Sequence, residues 1–208
     1  VDYDISGNIA YSRSKWIDYD EAVYTDPDEI RLYKNSGRYT DRRYGYVFDG
    51  LFTSQQEIDA WNYTFDALNN DNSSLRPGDV KYKDLNGDGV INWRDQKEIG
   101  KGSTPHWSFG VNMGFRYKNF DFDITFAGAT CYSKVVSDAF MWPLHRLSNQ
   151  VFEYQQDVWS PSNPDAAYPS YRYDANRINN NIKDGDINSN TVYDATYVRL
   201  KSMNIGYN

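Results

Sequence analysis

Cysteine is nearly missing from this chain. Its 208 residues include only Cys131, which excludes an internal disulfide framework and any zinc cluster built on cysteine. Histidine is almost as scarce. His106 and His145 are the only two, and neither stands in an HExxH-type spacing that would hold a catalytic metal. No P-loop or GxGxxG occurs, and Cys131 has no cysteine–histidine signature around it. Many aspartates could be paired on paper, but nothing singles out a glycosidase-like carboxylate pair, so no enzymatic activity is expected. Long apolar runs are absent too. No stretch approaches the 18 residues of a membrane-spanning helix, and mean hydropathy is −0.81. The chain opens Val1-Asp2-Tyr3-Asp4, which alternates like a strand and does not resemble a signal peptide. Glutamate is rare: of 29 acidic residues, 24 are aspartate and 5 glutamate, alongside 20 asparagines. Both favour turns over helices, which argues against a mostly helical protein. The 22 basic residues leave a net charge of −7, the wrong sign for a general nucleic-acid binder.

Rings are plentiful instead. Aromatic residues make up 17% of the chain, with 19 Tyr and 6 Trp, while hydrophobic residues reach only 39%. Two architectures suit that balance. One is a loop-rich soluble β-sandwich; the other is part of a transmembrane β-barrel, with its polar lumen and aromatic girdles.

The strongest pattern has period two. Trp107, Phe109, Val111, Met113, Phe115 and Tyr117 alternate with His106, Ser108, Gly110, Asn112, Gly114 and Arg116. After a Lys118-Asn119 link, Phe120, Phe122, Ile124 and Phe126 alternate with Asp121, Asp123, Thr125 and Ala127. This predicts a β-hairpin, with Asn119 supplying the positive φ of a tight turn. Tyr3, Ile5, Gly7, Ile9 and Tyr11 alternate with polar or small neighbours, as do Met203, Ile205 and Tyr207. Arg199 and Lys201 fall on the apolar parity of that last strand, so either its outer end is charged or a bulge shifts the register. Expected strands are about 1–16, 105–117, 120–131 and 195–208. An eleven-residue strand tilted by about 45° climbs roughly 25 Å, the height of an outer-membrane barrel's apolar band.

Two long polar segments, about 18–104 and 133–193, separate these strands. Each is expected to hold a short helix. One begins at the capping box Ser54-Gln55-Gln56-Glu57 and continues through Ile58, Trp61, Phe65 and Leu68. The other runs over about 146–158. Short turns mark the periplasmic side of such barrels and long loops the extracellular side. The Lys118-Asn119 turn is therefore expected inside and the long segments outside. Four strands are too few for a barrel, which needs about eight, so the chain is expected to be a fragment of a larger one. Rings in the segments (Trp61, Trp93, Trp142, Tyr154, Trp159, Tyr168, Tyr171, Tyr173) suit sugar stacking or peptide contact, or else form the segments' own small cores.

One motif carries chemistry. Asp84-Leu85-Asn86-Gly87-Asp88-Gly89-Val90-Ile91-Asn92-Trp93-Arg94-Asp95 places oxygen donors at loop positions 1, 3, 5 and 12, a carbonyl at 7 and glycine at 6. That spacing coils a loop so that alternate oxygens converge on one hard cation. Asp84, Asn86, Asp88, the Val90 carbonyl and Asp95 are the expected ligands of a structural calcium. A metal-free cluster of turns is the alternative.

The run Gly45-Tyr46-Val47-Phe48-Asp49-Gly50-Leu51-Phe52-Thr53-Ser54-Gln55-Gln56-Glu57-Ile58 resembles SusC/RagA-type TonB-dependent outer-membrane transporters of Bacteroidota. So does Pro77-Gly78-Asp79-Val80-Lys81-Tyr82-Lys83, together with the acidic loop that follows it. Ile99-Gly100 with Pro105, Tyr117-Lys118-Asn119-Phe120-Asp121, and Tyr197-Val198-Arg199-Leu200-Lys201 before Ile205-Gly206-Tyr207 resemble the same family, in order over about 45–207. The resemblance implies an all-β fold, a fragment of a large antiparallel barrel of 22 strands over residues 1–208. It implies an outer-membrane location and import of oligosaccharides or peptides. It also implies energy from TonB, through a plug region outside this chain, and a SusD-like surface lipoprotein as lid. The runner-up is a soluble secreted calcium-containing β-rich glycan-binding module.

Overall fold

The computed structural model describes residues 1–136, 140–142, 144, 150–172, 181–183 and 185–207. In chain order the elements are β1 (Asp2–Tyr11), α1 (Pro27–Tyr33), β2 (Arg42–Gly45), β3 (Phe48–Leu51), α2 (Gln55–Asp59), β4 (Thr64–Phe65), β5 (Val80–Tyr82), β6 (Val90–Ile91), β7 (Lys97–Lys101), β8 (Trp107–Tyr117), β9 (Phe120–Thr130), β10 (Ser133–Val135), β11 (Val192–Asp194) and β12 (Tyr197–Tyr207). The chain is predominantly β. Among the described residues no helix is long and apolar enough to cross a membrane. The chain divides into two compact units: Val1–Arg42 with Gly100–Lys134 and Asp194–Asn208, and Arg43–Ile99 with Val135–Tyr193.

The first unit is built on one antiparallel sheet in the order β1-β8-β9-β12. β8 and β9 form a hairpin closed by Tyr117 opposite Phe120. The positive φ of its turn falls on Lys118, at +53°, and not on Asn119 as expected. β1 stops at Tyr11, short of the expected residue 16, because Lys15 bridges Tyr39 instead of continuing the ladder. β9 stops at Thr130, where Cys131 turns into the left-handed region at φ +62°. In β12 the register slips between Leu200 and Ser202, leaving Lys201 as the extra residue of a bulge. α1 is opened by Asp26, whose carboxylate accepts from Asp28 N at 2.8 Å, with Pro27 in the first turn.

The second unit has short strands around a compact core. β3 pairs antiparallel with β5, and β4 pairs parallel with β6. Tyr46, Leu51, Phe52, Ile58, Phe65, Leu75, Val80, Tyr82, Ile91, Met141, Trp142 and Ile182 are buried together. Burial raises the phenols of Tyr46 and Tyr82 far above their ordinary range. Tyr82 Oη accepts from Asn188 Nδ2 at 3.1 Å, and Asn181 Nδ2 donates to Val80 O at 2.6 Å. These bonds satisfy polar groups that would otherwise be costly to bury.

The helix expected from Ser54 through Leu68 is much shorter. Ser54 caps it, accepting from Glu57 N at 3.2 Å, but it ends at Asp59. Phe65 is drawn into pairing with Ile91, and Leu68 lies in a separate 3-10 turn. Tertiary pairing overrides an apolar spacing that fits a helix. Of the second expected helix, 146–149 lie outside the described residues, and the remainder holds only a 3-10 turn, Glu153–Gln156. His145, Tyr173, Asn179, Asn180 and Asp184 also lie outside the described residues.

Candidate functional site

Directly opposed residues of an antiparallel pair point to the same face, so the register assigns the sheet's two faces. One face carries Tyr3, Ile5, Ile9 and Tyr11 from β1, and Trp107, Phe109, Val111, Met113, Phe115 and Tyr117 from β8. β9 adds Phe120, Phe122, Ile124 and Phe126, and β12 adds Val198, Leu200, Met203, Ile205 and Tyr207. The other face carries Asp2, Asp4, Ser6 and Asn8, Ser108, Asn112 and Arg116, Asp121, Asp123 and Thr125, with Arg199, Ser202 and Asn204.

The bulge makes this separation possible. Were the ladder regular through all of 198–207, Arg199 and Lys201 would stand among the phenylalanines. With it, Val198 and Leu200 share a face with Met203, Ile205 and Tyr207. Gly128 also serves the apolar face: the Phe109 ring lies over it, in space that a Cβ would take.

This apolar face is not covered. Ile5 is 71% exposed, Ile9 69%, Met203 52% and Ile205 70%. Rings mark both ends. Tyr11 packs on Trp107 at 4.7 Å near one end, and Phe120 on Tyr207 at 4.9 Å beside the hairpin turn. Burying so much apolar surface is worth about 25 cal/mol per Å², and soluble monomers rarely leave such a patch open.

Beyond the Trp107 end of β8 lies a charged cluster missed at the level of sequence. Asp41 faces His106 Nε2 through one oxygen, and Arg13 Nε reaches both carboxylate oxygens at 3.1 Å. Arg13 also lies over the Tyr39 ring at 3.5 Å. Burial pushes the Asp41 carboxyl up, but hydrogen bonds from His106 and Arg13 outweigh it and hold the group below its ordinary value. Asp41, His106 and Arg13, with Ser12, Ser14, Thr40, Gly102 and Thr104, line a cavity of about 220 Å³. The partners lie 65 positions apart in sequence, and no local pattern could have joined them.

The acidic loop lies in the second unit. Asp84 accepts from Gly87 N at 2.7 Å and Gly89 N at 2.9 Å. Gly87 and Gly89 take φ +78° and +83°, a conformation glycine adopts without strain. Asn86 Oδ1 accepts from Asp88 N at 2.9 Å, and Asp88 Oδ1 from Val90 N at 2.8 Å. The Val90 carbonyl accepts from Asn92 Nδ2 at 3.1 Å. Asp95 is fully buried and accepts from Leu85 N and Asn92 N, each at 2.8 Å. Burial raises its carboxyl, and the neighbouring Asp84 charge adds to the effect. For Asp84, burial acts upward but is outweighed by the Gly89 and Gly87 donors, so its carboxyl is lowered.

Asp84 and Asp95 are thus brought together. Asp88 is held by its own turn, with Asn86 Nδ2 donating to its second oxygen at 2.9 Å. Among the described residues no group of three or more His, Cys, Asp or Glu is clustered as a metal centre. The donors are all oxygen, with two adjoining carboxylates, which fits a hard cation and not zinc or copper.

Of the rings singled out in the sequence, Trp142 is buried in the second unit's core, with Trp61, Trp159 and Tyr168 packed against it. Tyr154 and Tyr171 are exposed, and Trp93 lies beside the Arg94 guanidinium at 5.0 Å.

No protein-family profile matches the chain. TonB-dependent receptor P3 of Formosa agariphila is 33% identical to it over 135 residues, which is 64% of this chain and 12% of that receptor. TonB-dependent receptor P26 of the same organism is 30% identical over 171 residues, 79% of this chain and 15% of that receptor. The chain is therefore a partial homologue of TonB-dependent receptors and spans less than a sixth of the length of these two relatives.

Proposed function

We propose that this chain supplies wall strands and extracellular segments of a SusC/RagA-type TonB-dependent transporter in the outer membrane. The whole protein imports oligosaccharides or peptides, driven by TonB and lidded by a SusD-like surface lipoprotein. The observation that carries this reading is the uncovered apolar face of the sheet, bounded at both ends by rings. Its strands have the length of a bilayer crossing. A soluble glycan-binding module would have to leave this face in water, at a cost that no element among the described residues offsets.

In this reading Asp84, Asn86, Asp88, Asp95 and the Val90 carbonyl hold one calcium ion. The ion neutralises adjoining carboxylates and stiffens the segment between α2 and β8. Chemistry plays no part. The wall gives the protein its place, and the outer segments meet cargo and lid.

The test is a pair of substitutions in the full-length protein refolded into lipid vesicles. Met113 lies mid-strand on the apolar face, and Met113→Arg is expected to cost about 2–4 kcal/mol of stability. Asn112→Arg, on the opposite face, is expected to cost far less. Equal costs, or a protein that purifies from aqueous lysate without detergent, would refute the membrane reading and favour the soluble module.

A further inference from the structure

We propose that Asn86 is a site of spontaneous deamidation, and that Asp84 and Asp88 hold the reaction in check while the acidic loop is folded. Asn86-Gly87 is the one Asn-Gly pair in the chain. An asparagine loses its side-chain amide when the next residue's main-chain nitrogen attacks it, and a glycine at that next position leaves the nitrogen unshielded by a Cβ. Asn86, Gly87 and Asp88 are exposed, so water reaches every atom involved. The space around Gly87 is open: a Cβ built there would meet nothing within 4 Å.

The step needs no reactant other than water. Gly87 N attacks Asn86 Cγ, and a bond forms between them. The Cγ–Nδ2 bond breaks, the Gly87 proton passes through solvent to Nδ2, and ammonia leaves. The five-membered imide so formed takes up one water. Opening at Cγ gives aspartate. Opening at the Asn86 main-chain carbonyl leaves the chain linked through Cγ, as isoaspartate.

The folded loop withholds each participant. The attacking nitrogen is committed, since Gly87 N donates to Asp84 Oδ1 at 2.7 Å. The amide under attack is clamped at both ends by Asp88: its Oδ1 accepts from Asp88 N, and its Nδ2 donates to Asp88 Oδ2, each at 2.9 Å. The two clamps are themselves anchored. Asp84 Oδ2 accepts from Gly89 N at 2.9 Å, and Asp88 Oδ1 from Val90 N at 2.8 Å. Intramolecular attack needs the reacting atoms close and aligned, and an amide held at both ends is not free to turn toward the nitrogen. A carboxylate that accepts from Nδ2 also gives it no proton with which to leave.

The products make any opening of the loop permanent. Isoaspartate adds a methylene to the main chain between positions 86 and 87, which ruins the alternate spacing of the loop's oxygens. Aspartate sets a further carboxylate beside Asp88, where like charges repel. In both, the Nδ2 bond to Asp88 is gone.

The experiment incubates the full-length protein in detergent at neutral pH, with a chelator present so that no bound cation contributes. Mass spectrometry follows the peptide containing Asn86, which gains one dalton on deamidation, and isoaspartyl methyltransferase marks the isoaspartate. The reference is the same protein unfolded in urea. There Asn86 is expected to react before any other asparagine, and about ten-fold faster than in the folded parent. In the folded protein, Asp88→Ala and Asp84→Ala should each accelerate the reaction about five-fold by removing a clamp. Asp71→Ala, which removes a carboxylate that holds a turn outside the loop, should leave the rate unchanged. Circular dichroism establishes that each variant is folded. Asp88→Asn keeps the side chain's size and removes only its charge; it should accelerate about two-fold and serves should the alanine variant fail to fold. The proposal is overturned if folded and unfolded parent react alike, or if another asparagine reacts first in urea. It is also overturned if the loop variants react at the parent's rate, or if Asp71→Ala accelerates as they do. A slower reaction in Asp84→Ala would make Asp84 a base that promotes the attack and would refute its guarding role.

Discussion

Asp41 shows how much a single residue can organise. Its half-buried carboxylate meets His106 and Arg13, and Arg13 in turn rests on Tyr39. Because its folded-state carboxyl lies below the ordinary value of 3.8, the sign of its pH linkage is fixed. The stabilisation is complete well above 3.8 and is lost as pH falls through the depressed folded value. Asp41→Asn keeps the shape and removes the charge. At neutral pH it is expected to cost about 1.5–3 kcal/mol, the range for hydrogen bonds to a charged group. The gap between parent and variant in thermal unfolding should shrink as pH drops below the carboxylate range. A gap that stays constant to pH 2, or widens on acidification, would show that Asp41 does not act through its charge.

At the scale of the element, β12 and the acidic loop each make a prediction. In β12 the ladder runs Met203 opposite Ile124 and Ser202 opposite Thr125, then jumps to Leu200 opposite Phe126. Deleting Lys201 therefore yields a regular strand with every other residue on its present face. Deleting Asn204 forces Met203 onto the polar face and Ser202 onto the apolar one, since a one-residue slip inverts a strand. The first deletion should refold into vesicles nearly as the parent does, and the second should be severely impaired. Equal impairment would mean that the bulge is required for something other than register.

For the loop, Trp93 provides a probe beside the ligand set. Terbium, which takes calcium's oxygen ligands, should luminesce on tryptophan excitation and be displaced by calcium. Asp88→Ala should abolish the signal while the strands stay intact. A signal equal in parent and variant would leave the loop as a cluster of turns.

These elements also show what was legible in the sequence. β8 and β9 were, because a sheet with one apolar face writes period two into its strands. The bulge showed only as a parity misfit at Arg199 and Lys201. The second unit was not legible: its strands run two to five residues, too short to carry a clear period. The pairing of Phe65 with Ile91 cut a helix that the spacing favoured. The acidic loop was legible as a spacing, but the burial of Asp95 against Asp84 was not.

At the scale of the whole molecule, the sheet's asymmetry sets the remaining question of sidedness. Its hairpin turn is two residues long, while the stretches from Ser12 to His106 and from Cys131 to Thr196 are long and polar. Carrying so much polar backbone and charge across a bilayer has no compensation in lipid, so both long segments must leave the sheet on the same side. In outer-membrane barrels the short turns face the periplasm, so the function proposed above predicts Lys118 on the periplasmic side and the long segments on the extracellular side. Single cysteines test this in intact cells, with Cys131→Ser as background and a membrane-impermeant maleimide as label. Ser73→Cys, at an exposed position of the second unit, should label at once. Lys118→Cys should label only after the outer membrane is opened. If Lys118→Cys reacts in intact cells as readily as Ser73→Cys, the topology is inverted, and the outer segments cannot meet a surface partner.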